Sequence, residues 1–217
     1  MQSAIIADAL RNGDLGDLGS FSTVVGIGHS YGSNLMVGVA SVSPAVFDAL
    51  ILTGFTYNAT RGPLGTASFE SIIATVTYPC RFSGLSNAYV TTPSISADQQ
   101  VFFHHPDYTQ AALSLFTATK SEYSLGQLDT FVEPRKSFNK PVLVMTGEND
   151  GPYCAANCYV TSLGHGSTQL DTVRALSPSV DTFQTYVVPT TGHGINYHIT
   201  AYEAYQQIIN FVSGQSS

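Results

Sequence analysis

The stretch Thr23-Val24-Val25-Gly26-Ile27-Gly28-His29-Ser30-Tyr31-Gly32-Ser33 decides the fold. Its first part, Thr23–Ile27, is short, apolar and bounded by Gly26 and Gly28, as a strand buried on both faces would be. A helical pattern then runs from Ser33 to about Val42 and stops at Pro44. Ser30 therefore stands in a tight turn between strand and helix, within Gly28-x-Ser30-x-Gly32. In that setting the turn holds a serine in a strained conformation, and the flanking glycines let strand and helix pack closely. The five-residue pattern alone recurs by chance in Gly- and Ser-rich chains, so its strand-turn-helix setting carries the meaning.

Three more apolar runs have the same character: Asp48–Gly54, Pro141–Gly147 and Thr182–Val188. Helical patterns cover Gln2–Arg11, ending at a plausible Asn12-Gly13 cap, then Thr168–Leu176 and Tyr197–Phe211. Strands that are apolar throughout and alternate with helices predict an α/β fold with a mostly parallel sheet covered on both faces. The intervening Phe55–Asn139 is rich in aromatics and turn formers, with short helical stretches near Phe69–Ala74 and Thr109–Thr119. No sheet-like rhythm is visible there, and it is far longer than an ordinary connection of about 2–6 residues.

The 217 residues suit one domain, and 43% hydrophobic residues supply a core without help from disulfides. Eight Lys and Arg stand against fifteen Asp and Glu, a net charge of −7 with no basic run. That balance excludes a nucleic-acid or anionic-membrane partner, which needs clustered cations. No apolar stretch reaches the roughly 18 residues of a membrane span. The N-terminus lacks the basic region of a signal peptide, and its apolar run Ala4–Ala7 is broken at Asp8. Low charge, abundant Ser, Thr and Tyr, and an Asn58-Ala59-Thr60 sequon point instead to a secreted protein. Cys80, Cys154 and Cys158 allow one disulfide with one thiol over, and Cys154-x-x-x-Cys158 has no second Cys/His pair at zinc spacing.

A serine hydroxyl is a poor nucleophile at neutral pH and needs a base, itself oriented by a carboxylate. The third apolar strand ends in Gly147-Glu148-Asn149-Asp150, so either Glu148 or Asp150 stands where such a sheet places its site. After the fourth comes Thr191-Gly192-His193-Gly194, a loop histidine with glycines on both sides. His29, His104, His105, His165 and His198 fit the base position less well. No metal or organic cofactor is implied by such a set.

On these three motifs the chain resembles the α/β-hydrolases, and its Cys154/Cys158 loop and Tyr-rich, low-charge composition resemble secreted fungal members. The resemblance implies Ser30 as nucleophile, His193 as general base and acid, and Asp150, three residues after the strand-ending glycine, as its partner. It gives the Tyr31 N–H as one oxyanion donor. Residues 1–54 and 140–217 would form the core and 55–139 a cap, with Phe102, Phe103 and Tyr108 lining a pocket for an apolar ester. Amidase, thioesterase, acyltransferase and hydroxynitrile lyase chemistry share the triad and stay open. The resembling proteins have further strands before the elbow, so the expectation is a partial fold, truncated at its N-terminus and lacking the loop of the second oxyanion donor. Its elbow strand would be an apolar edge prone to recruiting other chains, and the alternative function is a catalytically impaired, self-associating remnant. A Cys154–Cys158 disulfide with Cys80 free is preferred over pairing Cys80 with either.

Overall fold

The computed structural model describes residues 2–57, 67–128 and 138–214. The chain opens with α1 (Gln2–Asn12), and strand β1 (Val25–His29) turns directly into α2 (Tyr31–Val42). β2 (Ala49–Thr53) follows. After the middle segment come β6 (Val142–Gly147), β7 (Phe183–Val188) and the last helix, α8 (Ala201–Val212). These four strands form one parallel sheet in the order β1-β2-β6-β7.

Alternation along the strands distributes the core. Leu50, Leu52, Val142 and Val144 join Val37 and Ala40 of α2 and Leu170 and Val173 of the 3-10 helix Gln169–Leu176 on one face. Met145 and Val188 meet Ala204 of α8 and Ile195 on the other. β2 and β6, flanked on both sides by strands, are buried almost end to end. Helix α1 is anchored by Arg11, which pairs with Asp48 at 2.6 Å while Asp48 also accepts the Val24 N–H at 2.8 Å.

Two expectations need correction. β1 is not covered on both faces: Gly26 and Gly28 are buried toward α2, but Ile27 on the opposite face is 54% exposed. The physical reason is that α8 packs over β6 and β7, leaving a cavity between itself and the outer strand. Among the described residues β1 pairs only with β2.

The middle segment also holds a sheet that the sequence pattern hides. β3 (Ile72–Ile73), β4 (Tyr89–Thr91) and β5 (Tyr123–Ser124) form a three-stranded antiparallel sheet. With two or three residues each, such strands have no period to read. Helix α3 (Ala74–Thr77) follows β3, and α4 (Ile95–Phe102) and α5 (Gln110–Thr119) pack on each other before β5 and α6 (Leu125–Leu128). Ser94 and Thr109 cap α4 and α5 with their side-chain oxygens.

A buried ion pair fastens this segment. Lys120 Nζ donates to both Asp98 carboxylate oxygens, at 3.0 and 2.9 Å, and to the Thr92 carbonyl at 2.9 Å, with both charged side chains out of solvent. The Thr117 hydroxyl, at 2.8 Å, and the Thr92 hydroxyl also donate to the carboxylate. No described helix is long and apolar enough to cross a membrane. The Asn58-Ala59-Thr60 sequon lies outside the described residues.

Candidate active site

Ser30 sits between β1 and α2 with φ 55° and ψ −124°. A serine pays for that left-handed backbone in strain, which the surroundings must hold. They do so through the neighbouring strand: the Ser30 N–H and the Ser33 hydroxyl both donate to the Thr53 carbonyl, each at 2.8 Å. Gly28 is required by close approach, because a Cβ there would lie 2.5 Å from the Gly32 carbonyl oxygen and 2.6 Å from Ser33 Cα. Gly32 differs from the expectation that both glycines serve packing, since a Cβ on it would meet nothing within 4 Å.

Asp150 lies just past β6 and caps the short helix α7 (Gly151–Cys154) by accepting the Tyr153 N–H on Oδ1 at 2.8 Å. Its other oxygen, Oδ2, accepts from the Thr146 hydroxyl and from His193 Nδ1, the latter at 2.8 Å. Burial pushes this carboxyl up. The charge of His193 and the hydrogen bonds from His193, Thr146 and the Tyr153 N–H outweigh burial and hold it below its ordinary range. Cys154 and Cys158 are joined by a disulfide behind α7, and Cys80 is a free, exposed thiol. Glu148, the other acid of this loop, turns away and accepts the Thr190 N–H at 3.1 Å.

His193 follows β7 and has no solvent exposure. With Nδ1–H donating to Asp150, its Nε2 accepts from the Ser30 hydroxyl at 2.9 Å. Residues separated by 163 and 43 positions thus form one chain of hydrogen bonds. The loop itself is held by His198. Its Nδ1 donates to the Gly194 carbonyl at 2.9 Å, and its Nε2 accepts from the N–H groups of Gly192 and His104 at 3.1 and 2.9 Å. Gly192 has no room for a side chain: a Cβ would stand 2.8 Å from the Phe103 carbonyl carbon.

Three rings surround the His193 imidazole: Tyr153 stacked at 5.6 Å, His29 at 4.9 Å and Phe102 at 5.7 Å between centroids. His29 donates from Nδ1 to Thr53 Oγ1 at 3.0 Å, since that hydroxyl is already committed to the Gly28 carbonyl. Desolvation and the nearby charge of His193, against the opposing charge of Asp150, push the His29 pKa down to about 4.

Of the expected pocket aromatics, Phe102 comes to the site. Phe103 and Tyr108 stand a layer behind, 4.9 Å from each other and 5.7 and 6.3 Å from His198. Tyr31 opens α2 beside Ser30, the position whose N–H the helix leaves toward the turn. A cavity of about 300 Å³ lies on the other side of the turn, between α8 and the uncovered face of β1, walled by Ile27, His29, Tyr205 and Ile208 but not by Ser30. Among the described residues no group of three or more His, Cys, Asp or Glu is placed to hold a metal ion.

Sequence reasoning did not single out Tyr153, weighed His198 only as a poorer base, and ranked Phe102 equally with Phe103 and Tyr108. A signal existed for Tyr153: Asp150-Gly151-Pro152 is a helix start, and a helix capped by Asp150 returns its third residue to the acid.

No protein-family model matches this sequence, and no curated protein does. Solved structures do. One is a Mycobacterium tuberculosis protein assigned as a non-heme bromoperoxidase, with a TM-score of 0.59 at 14% identity over 99% of this chain and 74% of its own. An α/β-hydrolase enzyme from a Medee basin deep-sea metagenome library gives 0.55 at 12% identity over 100% and 72%. The monoacylglycerol lipase of Paleococcus ferrophilus gives 0.51 at 14% identity over 96% and 72%. The chain thus spans about three quarters of the length of these neighbours, and what it shares with them is the α/β-hydrolase fold.

Proposed function

We propose that this protein is a serine hydrolase that cleaves carboxylic esters through an acyl-enzyme. The observation that carries the reading is the continuous relay Ser30–His193–Asp150, with bonds of 2.9 and 2.8 Å and a strained nucleophile at a strand-to-helix turn. His193 Nε2 takes the Ser30 proton as Oγ forms its bond to the ester carbonyl carbon. The carbonyl π pair moves to oxygen, where the Tyr31 N–H and the positive end of α2 face it. The C–O bond to the alcohol then breaks, and His193 returns the proton to the leaving oxygen. Water repeats the sequence and frees Ser30. Asp150 holds the imidazole in the tautomer that can accept and stabilises its charged form.

An apolar acyl or alcohol group suits the site, because Phe102, Phe69 and Phe116 form one aromatic cluster beside His193, with centroid distances of 5.5 and 4.6 Å. In this reading residues 55–139 act as the cap. Secretion belongs to the same reading and is supported by the Cys154–Cys158 disulfide, since such bonds persist in oxidising compartments. The lipase among the structural neighbours is compatible with an ester substrate.

The test is hydrolysis of p-nitrophenyl acetate and butyrate together with fluorophosphonate labelling, beside Ser30→Ala. Turnover and labelling that vanish in the alanine variant are expected; labelling independent of Ser30 refutes the assignment. A second reading, a self-associating protein with impaired catalysis, is favoured by the outer edge of β1, unpaired among the described residues, and its exposed Ile27. Sedimentation separates the two: a labelled monomer rejects it.

A further inference from the structure

His193 stands on a loop that local sequence leaves loose, because Gly192 and Gly194 on either side of it have the widest backbone freedom. Side chains that do chemistry together have to be held to about 0.5 Å. One side of the loop is fixed by the acid loop, where the Asn149 N–H donates to the Thr191 carbonyl at 2.8 Å. The other side is fixed by a buried side chain that the mechanism above leaves unused, His198.

His198 is 5% exposed, and among the described residues its ring bonds only backbone groups. Nδ1 faces the Gly194 carbonyl at 2.9 Å and must carry the proton. Nε2 faces two N–H groups, of Gly192 at 3.1 Å and of His104 at 2.9 Å, and must be the bare acceptor. The ring therefore grips the residue before His193 and the residue after it, and joins both to the middle segment. That segment closes on the loop from its own side as well. The Phe102 carbonyl accepts the Gly194 N–H at 2.7 Å, the Asp107 carbonyl accepts the Ile199 N–H at 3.0 Å, and Tyr108 forms an antiparallel bridge with His198. Only the neutral ring with its proton on Nδ1 satisfies these contacts, since a proton on Nε2 would point at two other N–H groups. Burial, helped by the charge of His104 and opposed by the Gly194 carbonyl and Asp107, lowers the pKa of His198 and favours that form.

We propose that His198 is the positioning residue for His193, seating the base loop on residues 102–108 so that the imidazole stays on Ser30. This role rests on the serine-hydrolase reading and deepens it. His198 has no bond to Ser30 and acts through the two glycines. The same contacts make the middle segment part of the catalytic frame. Phe102, whose ring lies 5.7 Å from that of His193, presents its carbonyl to the loop that carries the base.

Two substitutions divide the bonds. His198→Gln places a carbonyl oxygen near the Nε2 position, with two lone pairs for the two N–H groups. His198→Asn places an amide N–H near the Nδ1 position, for the Gly194 carbonyl, and leaves Gly192 and His104 without their acceptor. For p-nitrophenyl butyrate we expect kcat of the Asn variant to fall about 10²-fold, as for a misplacement of about 1 Å, with KM changed less than about threefold. The Gln variant should keep kcat within about tenfold of wild type. Fluorophosphonate labelling run to completion counts the competent sites, and melting curves record stability separately. A purely structural His198 predicts a lower Tm and fewer labelled sites, with kcat per labelled site within about threefold of wild type. That result in the Asn variant overturns the proposal, and so does a Gln variant no faster than the Asn variant. Should the Asn protein not fold, 15N-histidine NMR of the wild type decides. The signal that disappears in the Gln variant has to show a protonated Nδ1 and a bare Nε2, and the opposite tautomer overturns the proposal. A wild type without Ser30-dependent labelling overturns the hydrolase reading itself, whereas a labelled wild type with an unimpaired Asn variant overturns the positioning role alone.

Discussion

Asp150→Asn gives the sharpest test of the proposed relay, because the surrounding donors dictate how an amide must sit. The Tyr153 N–H points at Oδ1, so the amide oxygen belongs there. The NH₂ group then occupies the Oδ2 position, facing Thr146 Oγ1 and His193 Nδ1. Thr146 can rotate its hydroxyl to accept, but His193 can accept only by moving its proton to Nε2. That tautomer presents N–H to Ser30 and cannot take a proton from it. The opposite amide orientation sets two N–H groups against each other, at about 1–3 kcal/mol for a buried unsatisfied donor. It also leaves the imidazolium without its carboxylate. In a Ser-His-Asp triad this replacement lowers kcat about 10⁴-fold, which is about 5.4 kcal/mol at about 1.36 kcal/mol per decade. The assay is p-nitrophenyl butyrate hydrolysis per mole of folded protein, with a melting curve to show that the cap on α7 survives. A kcat within tenfold of wild type would refute the tautomer argument.

Other expectations follow from the geometry. Gly28→Ala should abolish Ser30 labelling and lower Tm, whereas Gly32→Ala should leave folding intact and stabilise α2 by up to about 1 kcal/mol through helix propensity; equal effects of the two would contradict the contacts described. Lys120→Met, by stranding the buried Asp98 carboxylate, should destabilise the chain by about 3–5 kcal/mol in urea melts, and adding Asp98→Leu should restore much of the loss. Stability should fall as pH drops from about 6.5 toward 4, because the unfolded chain protonates His29 while the native one, with its pKa near 4, resists. Below about 3.8 a second loss follows as Asp150, depressed in the native state, is protonated. Equilibrium unfolding at stepped pH checks both, and His29→Asn should flatten the upper part.

The large sheet was legible because its signals are long and local. β2 and β6 are continuous apolar runs, as strands flanked and covered on all sides must be, and Thr109–Thr119 reads as the capped helix it becomes. That Ser30, His193 and an acid of the Glu148–Asp150 loop would meet followed from the order of turns at strand ends, whereas the choice of Asp150 over Glu148 came from the resemblance. What stayed hidden depends on tertiary context. The sheet of β3, β4 and β5 consists of fragments too short for periodicity, stabilised by pairing across the segment. Phe102 and Phe103 are adjacent in sequence, yet the end of α4 turns one toward His193 and the other behind it, and composition cannot distinguish them. For Tyr153 the helix start at Asp150-Gly151-Pro152 was readable, but the stack on His193, a contact 40 residues away along the chain, was not.

The polar ends of the strands also answer a question the apolar core leaves open. β6 is buried at every position, so sliding it along its neighbours would trade one apolar contact for another and incur little hydrophobic penalty. Parallel strands rise about 3.3 Å per residue, and a two-residue slip would carry Asp150 about 6.6 Å from its partners. Such a shift breaks the bonds to His193 and the caps that follow, and drives Gly147 out of the notch where a Cβ would sit 2.3 Å from the Thr191 and Gly192 carbonyl oxygens. The Gly147–Val188 alignment is thereby locked from its C-terminal end. The residues of the proposed relay double as the index mark that tells an otherwise uniform strand where to stop.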